Sequence, residues 1–423
     1  MKNFFKNLKS LDKNCLLFAA FMMIASFCVS ADYGIIRPAC DAFFISSYTT
    51  KYIPYAWICA LPVNFAIIYF YNRFLPSFGC FKIFSVSCII ICFFNVFSSF
   101  FIGKFYFWPF IQYIWKDIYI LLMYKQLWSL IHSTLSSKEA KLLFGFIFGM
   151  GGIGSVFGGL ISNNFALSLG SNTLLSFTFP VYVVLFFAYF FAMKFSPMNK
   201  KKYRENLTKE AVKPKEAFSL IKNSKLLTFV LFIVILMQLT RGFVDFQFSI
   251  FLEKAVTNLD LRTQYLGKLV SITNGITSCF QLVGSFLLIH FFGLKKIHLL
   301  VPLALGANAL ALLLYPIFPV ATYSYIAIKA MDYSIFGIIR EMLYIPMKID
   351  EKYRAKTIID VFAYRSARAI TSVLIITIQL ISKNSIINAI SIITIFTAIS
   401  WFITVQIMFK HYEFKLMQTP LQA

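Results

Sequence analysis

The sequence predicts an all-α polytopic membrane protein of about twelve transmembrane helices, and three observations carry that prediction. Apolar runs of roughly 18 or more residues recur from end to end, each long enough to cross about 30 Å of hydrocarbon as a helix. The 423-residue chain is 59% hydrophobic and 13% charged, against roughly 45–50% and about 25% in soluble domains. The alternating segments of about ten residues that build a membrane barrel do not occur.

In chain order the spans are expected at 15–36, 53–73, 82–103, 106–131, 141–163, 173–194, 226–252, 264–292, 297–317, 320–346, 360–382 and 385–409. The first follows Lys2, Lys6, Lys9 and Lys13 and runs past Val29-Ser30-Ala31. A cleaved signal peptide is the alternative reading of that segment. Within the fifth span, GFIFGMGGIGSVFGG (145–159) sets Gly145/Gly149 and Gly154/Gly158 four apart, the spacing of close helix packing. It lacks the GK[ST] of a phosphate-binding loop. One long polar stretch, 194–225, follows the sixth span. The expected domains are a six-helix half at 1–194, a basic cytoplasmic linker at 195–225 and a second half at 226–423. Two such halves predict a major-facilitator-like architecture, in which the halves rock around a site near the midplane.

A net charge of +23 would suggest nucleic acid in a soluble protein. Here most of the 40 Lys and Arg residues fall on one alternate set of loops, as the positive-inside rule requires of cytoplasmic segments. No nucleic-acid partner is expected, and both termini are expected in the cytoplasm. The eight Cys form no CxxC pair, and His132, His290, His298 and His411 have no metal spacing. No nucleophile–base pattern stands out. The reading is a secondary active transporter without cofactor or metal, not an enzyme.

Charges inside spans are the informative exceptions. One Lys, Arg or Asp at a helix centre costs on the order of 2.5–3.5 kcal/mol on insertion scales. YIWKDIYILLMYKQLW (113–128) carries Lys116, Asp117 and Lys125. Asp117 shares a helical face with Tyr113, Ile120 and Tyr124, with Lys116 and Lys125 to either side. LMQLTRGFVDFQF (236–248) is its expected counterpart in the second half, with Arg241 and Asp245 at i, i+4. Lys329 and Asp332 mark a third charged helix, at i, i+3. Structural ion pairing or snorkelling lysines is the plain account of these groups. The functional account is a basic cavity with a few carboxylates, suited to an anion such as phosphate.

The stretch DYSIFGIIREMLYIPMKIDEKYRAKTIIDVFAYRSAR (332–368) resembles the nucleotide transporters of plastids and obligate intracellular parasites, the ATP/ADP translocases. Tyr333, Ser334, Phe336, Glu341, Met342, Tyr344, Ile345, Pro346, Lys356, Ile359, Asp360, Val361 and Arg365 match the family pattern. Arg37, Asp41, Ile53, Pro54 and Pro62 fit its first external loop and second helix, and Glu139, Ala140 and Lys141 a later motif. The resemblance places functional acids of the family at Asp117 and Asp245. The chain departs from the pattern in having Cys40 for a functional Lys, Arg340 for the Lys before Glu341, Ala367-Arg368 for Gly-Lys, and Asp for Glu at 117 and 245.

What the resemblance implies is a nucleotide substrate of the ATP/ADP type, exchanged across the bilayer by alternating access, in the inner or plasma membrane of an intracellular organism. Arg37, Lys116, Lys125, Arg241, Arg340, Lys356, Arg365 and Arg368 become candidates for phosphate contact or gating, and Asp117 and Asp245 for competing with them or coupling a proton. Asp41, Glu341 and Asp360 become candidate gate ion pairs at helix ends. An importer of another anion (another nucleotide, NAD or phosphate) and a non-transporting membrane scaffold stay open. The sequence leaves the oligomeric state open as well.

Overall fold

The computed structural model describes residues 11–196, 224–281, 285–344, 359, 363–382 and 385–417. Helix is the regular structure throughout, with no strand among the described residues. In chain order the helices are α1 (Lys13–Tyr48), α2 (Ile53–Phe78), α3 (Cys80–Phe101), α4 (Trp108–Thr134), α5 (Ser137–Leu169), α6 (Ser171–Ser176) and α7 (Thr178–Phe195). From residue 225 onward come α8 (Lys225–Ala255), α9 (Leu259–Cys279), α10 (Ser285–Leu314), α11 (Phe318–Met331), α12 (Gly337–Leu343), α13 (Tyr364–Ile381) and α14 (Ile386–Met417). A π-helical stretch, Asp332–Phe336, joins α11 to α12.

Each of the twelve expected spans meets helix at its place, the eighth and ninth being separated within α10 by Gly293 (φ 74°, ψ 162°). That backbone is one L-residues rarely adopt. Eight helical segments among the described residues are long and apolar enough to cross a membrane. The chain is an integral multi-pass membrane protein. Helix α4 has the length, at 27 residues, but its interior charges set it apart from those eight.

The first helix runs beyond its expected end at 36, through Pro38 to Tyr48. A proline has no N–H for the carbonyl four residues back, here that of Gly34. Ser162 of α5 makes up the loss, its hydroxyl donating to Ile35 O at 2.9 Å and to Gly34 O at 3.4 Å. Arg37 and Asp41, expected in an external loop, therefore lie inside a helix.

The described residues within Met1–Thr49, Pro62–Ala211 and Val256–Gly275 form one compact unit, and those within Thr50–Leu61, Val212–Ala255 and Ile276–Ala423 a second. In the first unit α1 is central, packed on α4, α5 and α7. Phe18, Met22, Met123, Leu127, Leu130 and Leu185 fill its core. The glycine stripe of α5 divides in two. A Cβ at Gly154 or Gly158 would strike the backbone of Phe27 or Ala31 on α1, whereas Gly145 and Gly149 have nothing within 4 Å. The expected packing role therefore holds for the second glycine pair and not for the first. In the second unit α8 is central, against α11, α13 and α14. Val230, Ile233, Val301, Phe336 and Trp401 contribute to its core.

Candidate functional site

Each central helix carries the motif Arg-x-x-x-Asp, as Arg37 to Asp41 in α1 and as Arg241 to Asp245 in α8. One helical turn separates the two residues, so each pair can close along its own helix. Arg37 Nε lies 3.6 Å from Asp41 Oδ2, and Arg241 Nε 3.9 Å from Asp245 Oδ2.

In the first unit α4 delivers a buried lysine to this pair. Lys116, 2% exposed, puts Nζ 3.0 Å from Asp41 Oδ1 and 3.6 Å from Asp117 Oδ1. The ammonium also sits 3.8 Å from the centre of the Tyr113 ring, one turn back on α4. Tyr33 of α1 donates to Asp117 Oδ1 at 3.2 Å and lies beneath the Arg37 guanidinium. Two cations and two carboxylates thus balance, with aromatic faces against both cations. This offsets much of the cost of charge in hydrocarbon.

The second unit repeats the plan from α8 and α11. Lys329, 3% exposed, puts Nζ 3.3 Å from Asp245 Oδ1 and 4.2 Å from the centre of the Tyr325 ring. Arg241 pairs with the buried Asp332, reaches the Tyr333 hydroxyl and lies over the Tyr333 ring. Gln238 donates to both oxygens of Asp332. Asp332 and Tyr333 belong to the π-helical stretch, a form that frees backbone groups and often marks functional positions. The side chain of Gln281 donates to Tyr333 O at 2.7 Å.

These contacts revise three sequence expectations. The counterpart of Arg241 and Asp245 is Arg37 with Asp41 in α1, not the Lys116–Asp117 stretch of α4, whose counterpart is the Lys329–Asp332 stretch. Lys329 and Asp332 pair with α8 rather than with each other. Asp41, expected as a gate pair at a helix end, belongs to the Lys116 group inside a helix. The repeated R-x-x-x-D was the available signal, hidden by the expectation that the first helix ends at residue 36.

The other named residues stand apart. Lys125 follows Lys116 by nine positions, about 13 Å along a helix, and donates to Asn72 Oδ1 at 2.7 Å beside the Tyr71 ring. Arg340 Nη2 lies 3.6 Å from Glu341 Oε1 on α12. Arg368 is exposed, its guanidinium 4.9 Å from the centre of the Trp57 ring. Lys356, Asp360 and the side chain of Arg365 lie outside the described residues. Sequence reasoning missed Asp32, which is fully buried and accepts from Tyr119. Among the described residues no group of three His, Cys, Asp or Glu could hold a metal ion.

Residues 308–412 match the model of the TLC ATP/ADP transporter family. The family resemblance read from the sequence is borne out. The matched span contains Lys329, Asp332, Arg340 and Glu341 of the charged region just described. No curated protein matches the chain in sequence.

Solved structures share the fold at low identity. The nucleoside transporter NupG superposes with a TM-score of 0.61 at 14% identity, over 94% of this chain and 100% of that one. A POT family transporter in complex with a thioalcohol-conjugated peptide gives 0.66 at 10%, over 95% and 96%. A D-xylose–proton symporter gives 0.62 at 15%, over 93% and 97%. The fold is of the major-facilitator type, and fold and family match together indicate a membrane transporter rather than an enzyme.

Proposed function

We propose that this transporter exchanges nucleotides of the ATP/ADP type by alternating access, with both termini in the cytoplasm. The observation that carries the reading is the pair of charge-balanced clusters, one in each unit. Each sets a buried lysine and an arginine against two carboxylates. A polyphosphate entering such a group competes with the carboxylates for the same cations. The cations are desolvated and already aimed, which strengthens their hold on the anion. Asp117 and Asp41 are the acids displaced from Lys116, and Asp245 the acid displaced from Lys329. When substrate leaves, the carboxylates close on the cations again, so the empty state strands no cation in hydrocarbon. Arg340, Arg368 and Lys125 act outside these clusters, in entry or gating, with Glu341 as a gate partner; Lys356, Arg365 and Asp360 keep the candidate roles that the resemblance gives them.

The test is uptake of labelled ATP by intact cells expressing the chain, with a panel of competing nucleotides and exchange against preloaded ADP. Saturable ATP uptake accelerated by internal ADP supports the reading. Its absence in cells that insert the protein normally refutes it.

One observation favours a second reading, a nucleotide or other anion distinct from ATP/ADP. The resemblance puts a functional Lys where this chain has Cys40, which is buried beside Lys116. The cation there comes from α4 instead of α1, which changes the reach available to a phosphate. The same competition panel separates the readings by which anion competes best.

A further inference from the structure

Asp32 lies in the middle of α1 and has no part in the cation cluster, although the next residue, Tyr33, does. Its carboxyl is 0% exposed. Tyr119 of α4 donates to Oδ2 at 2.7 Å, and Oδ1 is buried without a hydrogen-bond partner. The ionisable side chains facing it are Tyr119 from α4, Tyr182 from α7, Cys92 from α3 and Cys28 from α1. Thr178 of α7 is the other polar neighbour. Not one of these carries positive charge.

Every acid of the two clusters has a Lys or Arg within ion-pair distance; Asp32 has only neutral neighbours. A carboxylate buried without a cation is among the costliest groups a membrane interior can hold. The partner left to neutralise it is a proton.

The surroundings hold the carboxyl in place. Asn95 donates to Thr178 Oγ1 at 3.1 Å, Gln112 to Asn95 Oδ1 at 3.0 Å, and Ser98 to Gln112 Oε1 at 2.9 Å. Amide links of this kind fix geometry and do not relay protons. The Asp32–Tyr119 and Tyr33–Asp117 bonds, from neighbouring residues of α1, both tie α1 to α4. A change of charge at Asp32 therefore acts on the contact that sets Asp117 against Lys116.

We propose that Asp32 is a proton-binding site of the transport cycle, loading and releasing one proton as the α1–α4 contact closes and opens around the cation cluster. The step is proton transfer alone: the carboxylate takes a proton from hydronium, leaving water, and no electrons move.

Infrared spectroscopy of the full chain in lipid nanodiscs tests the site without any substrate. The carbonyl stretch of a protonated carboxyl should be present in wild type, lost in Asp32→Asn, retained in Asp32→Glu and shifted in Tyr119→Phe. Identical wild-type and Asp32→Asn spectra would overturn the assignment. If Asp32→Asn does not insert, an unmoved band in Tyr119→Phe does so instead.

A second arm rests on the nucleotide reading. ATP uptake by wild type should rise when the outside is acidified, and that rise should vanish in Asp32→Asn while Asp32→Glu keeps it. A rise of equal size in Asp32→Asn would overturn the coupling. A wild type that takes up no nucleotide refutes the nucleotide reading and leaves the infrared arm to decide the site.

Discussion

The two charge clusters share one plan and differ in their hub. In the first unit the hub is Lys116, which touches Asp41 and Asp117 while Arg37 holds Asp41 from the side. In the second the hub is Arg241, which touches Asp245 and Asp332, with Lys329 at the edge on Asp245. A lysine ammonium is a compact point charge that can exchange one oxygen for another. An arginine guanidinium is a rigid fork suited to a fixed geometry. Asp332 adds to that fixity, being 2% exposed and held by Gln238 as well. The first cluster is thus built for exchange of partners and the second for holding.

The largest effect should come from breaking the fixed hub. Asp332→Ala leaves Arg241 short of its buried partner, a change that costs roughly 3–5 kcal/mol in buried pairs. Asp41→Ala should cost clearly less, because Lys116 keeps Asp117. Thermal melts of the two purified variants check this, and equal losses would erase the distinction between hubs.

Next in size is Asp117→Asn. We expect transport to fall by about tenfold or more, equivalent to at least about 1.4 kcal/mol, with the amount of folded protein unchanged. Normal transport in both Asp117→Asn and Asp245→Asn would remove both acids from the site. Smaller again is loss of the ring under each lysine. Tyr113→Leu and Tyr325→Leu should each cost about 0.5–2 kcal/mol of stability, read as a drop in melting temperature. The two should be similar, since the lysine–ring arrangement is common to both clusters.

The smallest expected effect is a control outside both. Glu139 closes the N-terminus of α5, accepting from Ser136 N at 2.7 Å while Ser136 Oγ accepts from Glu139 N. That bond to Ser136 holds its carboxyl below the usual range. Its contribution is therefore complete above the ordinary glutamate pKa and lost as pH falls through the lower folded value. Glu139→Gln should lower stability slightly at neutral pH, flatten the acid limb of a stability–pH curve and leave transport unaltered. A shift in transport would tie this helix start to the first cluster.

How far the sequence could be read depended on the reach of each signal. Hydropathy is local, so the helical spans and the helical class were legible, whereas residues 197–223 of the expected linker lie outside the described residues. The motif at 332–368 is also local, and it carried the family. Lys116, Asp117, Arg241 and Asp245 stood out because charge inside an apolar run needs no structure to be noticed. Asp32 did not stand out, since it sits near the expected end of the first span, where an acid is unremarked. The first span was expected to end at 36, and the hydroxyl that supports the helix through Pro38 comes from Ser162, 127 positions from the carbonyl it serves at Ile35.

By itself, then, the sequence determined that this chain threads a membrane many times and that its second half carries a translocase-like signature. Both follow from the cost of exposing peptide groups and charge to hydrocarbon, which acts residue by residue. Which charges neutralise which was decided only by the tertiary structure. The Arg241–Asp332 ion pair depends on how α8 and the π-helical stretch, 91 positions apart, cross and rotate. No periodicity within either helix encodes that crossing. The same packing gave Lys116 two carboxylates and left the Asp32 carboxyl without a cation.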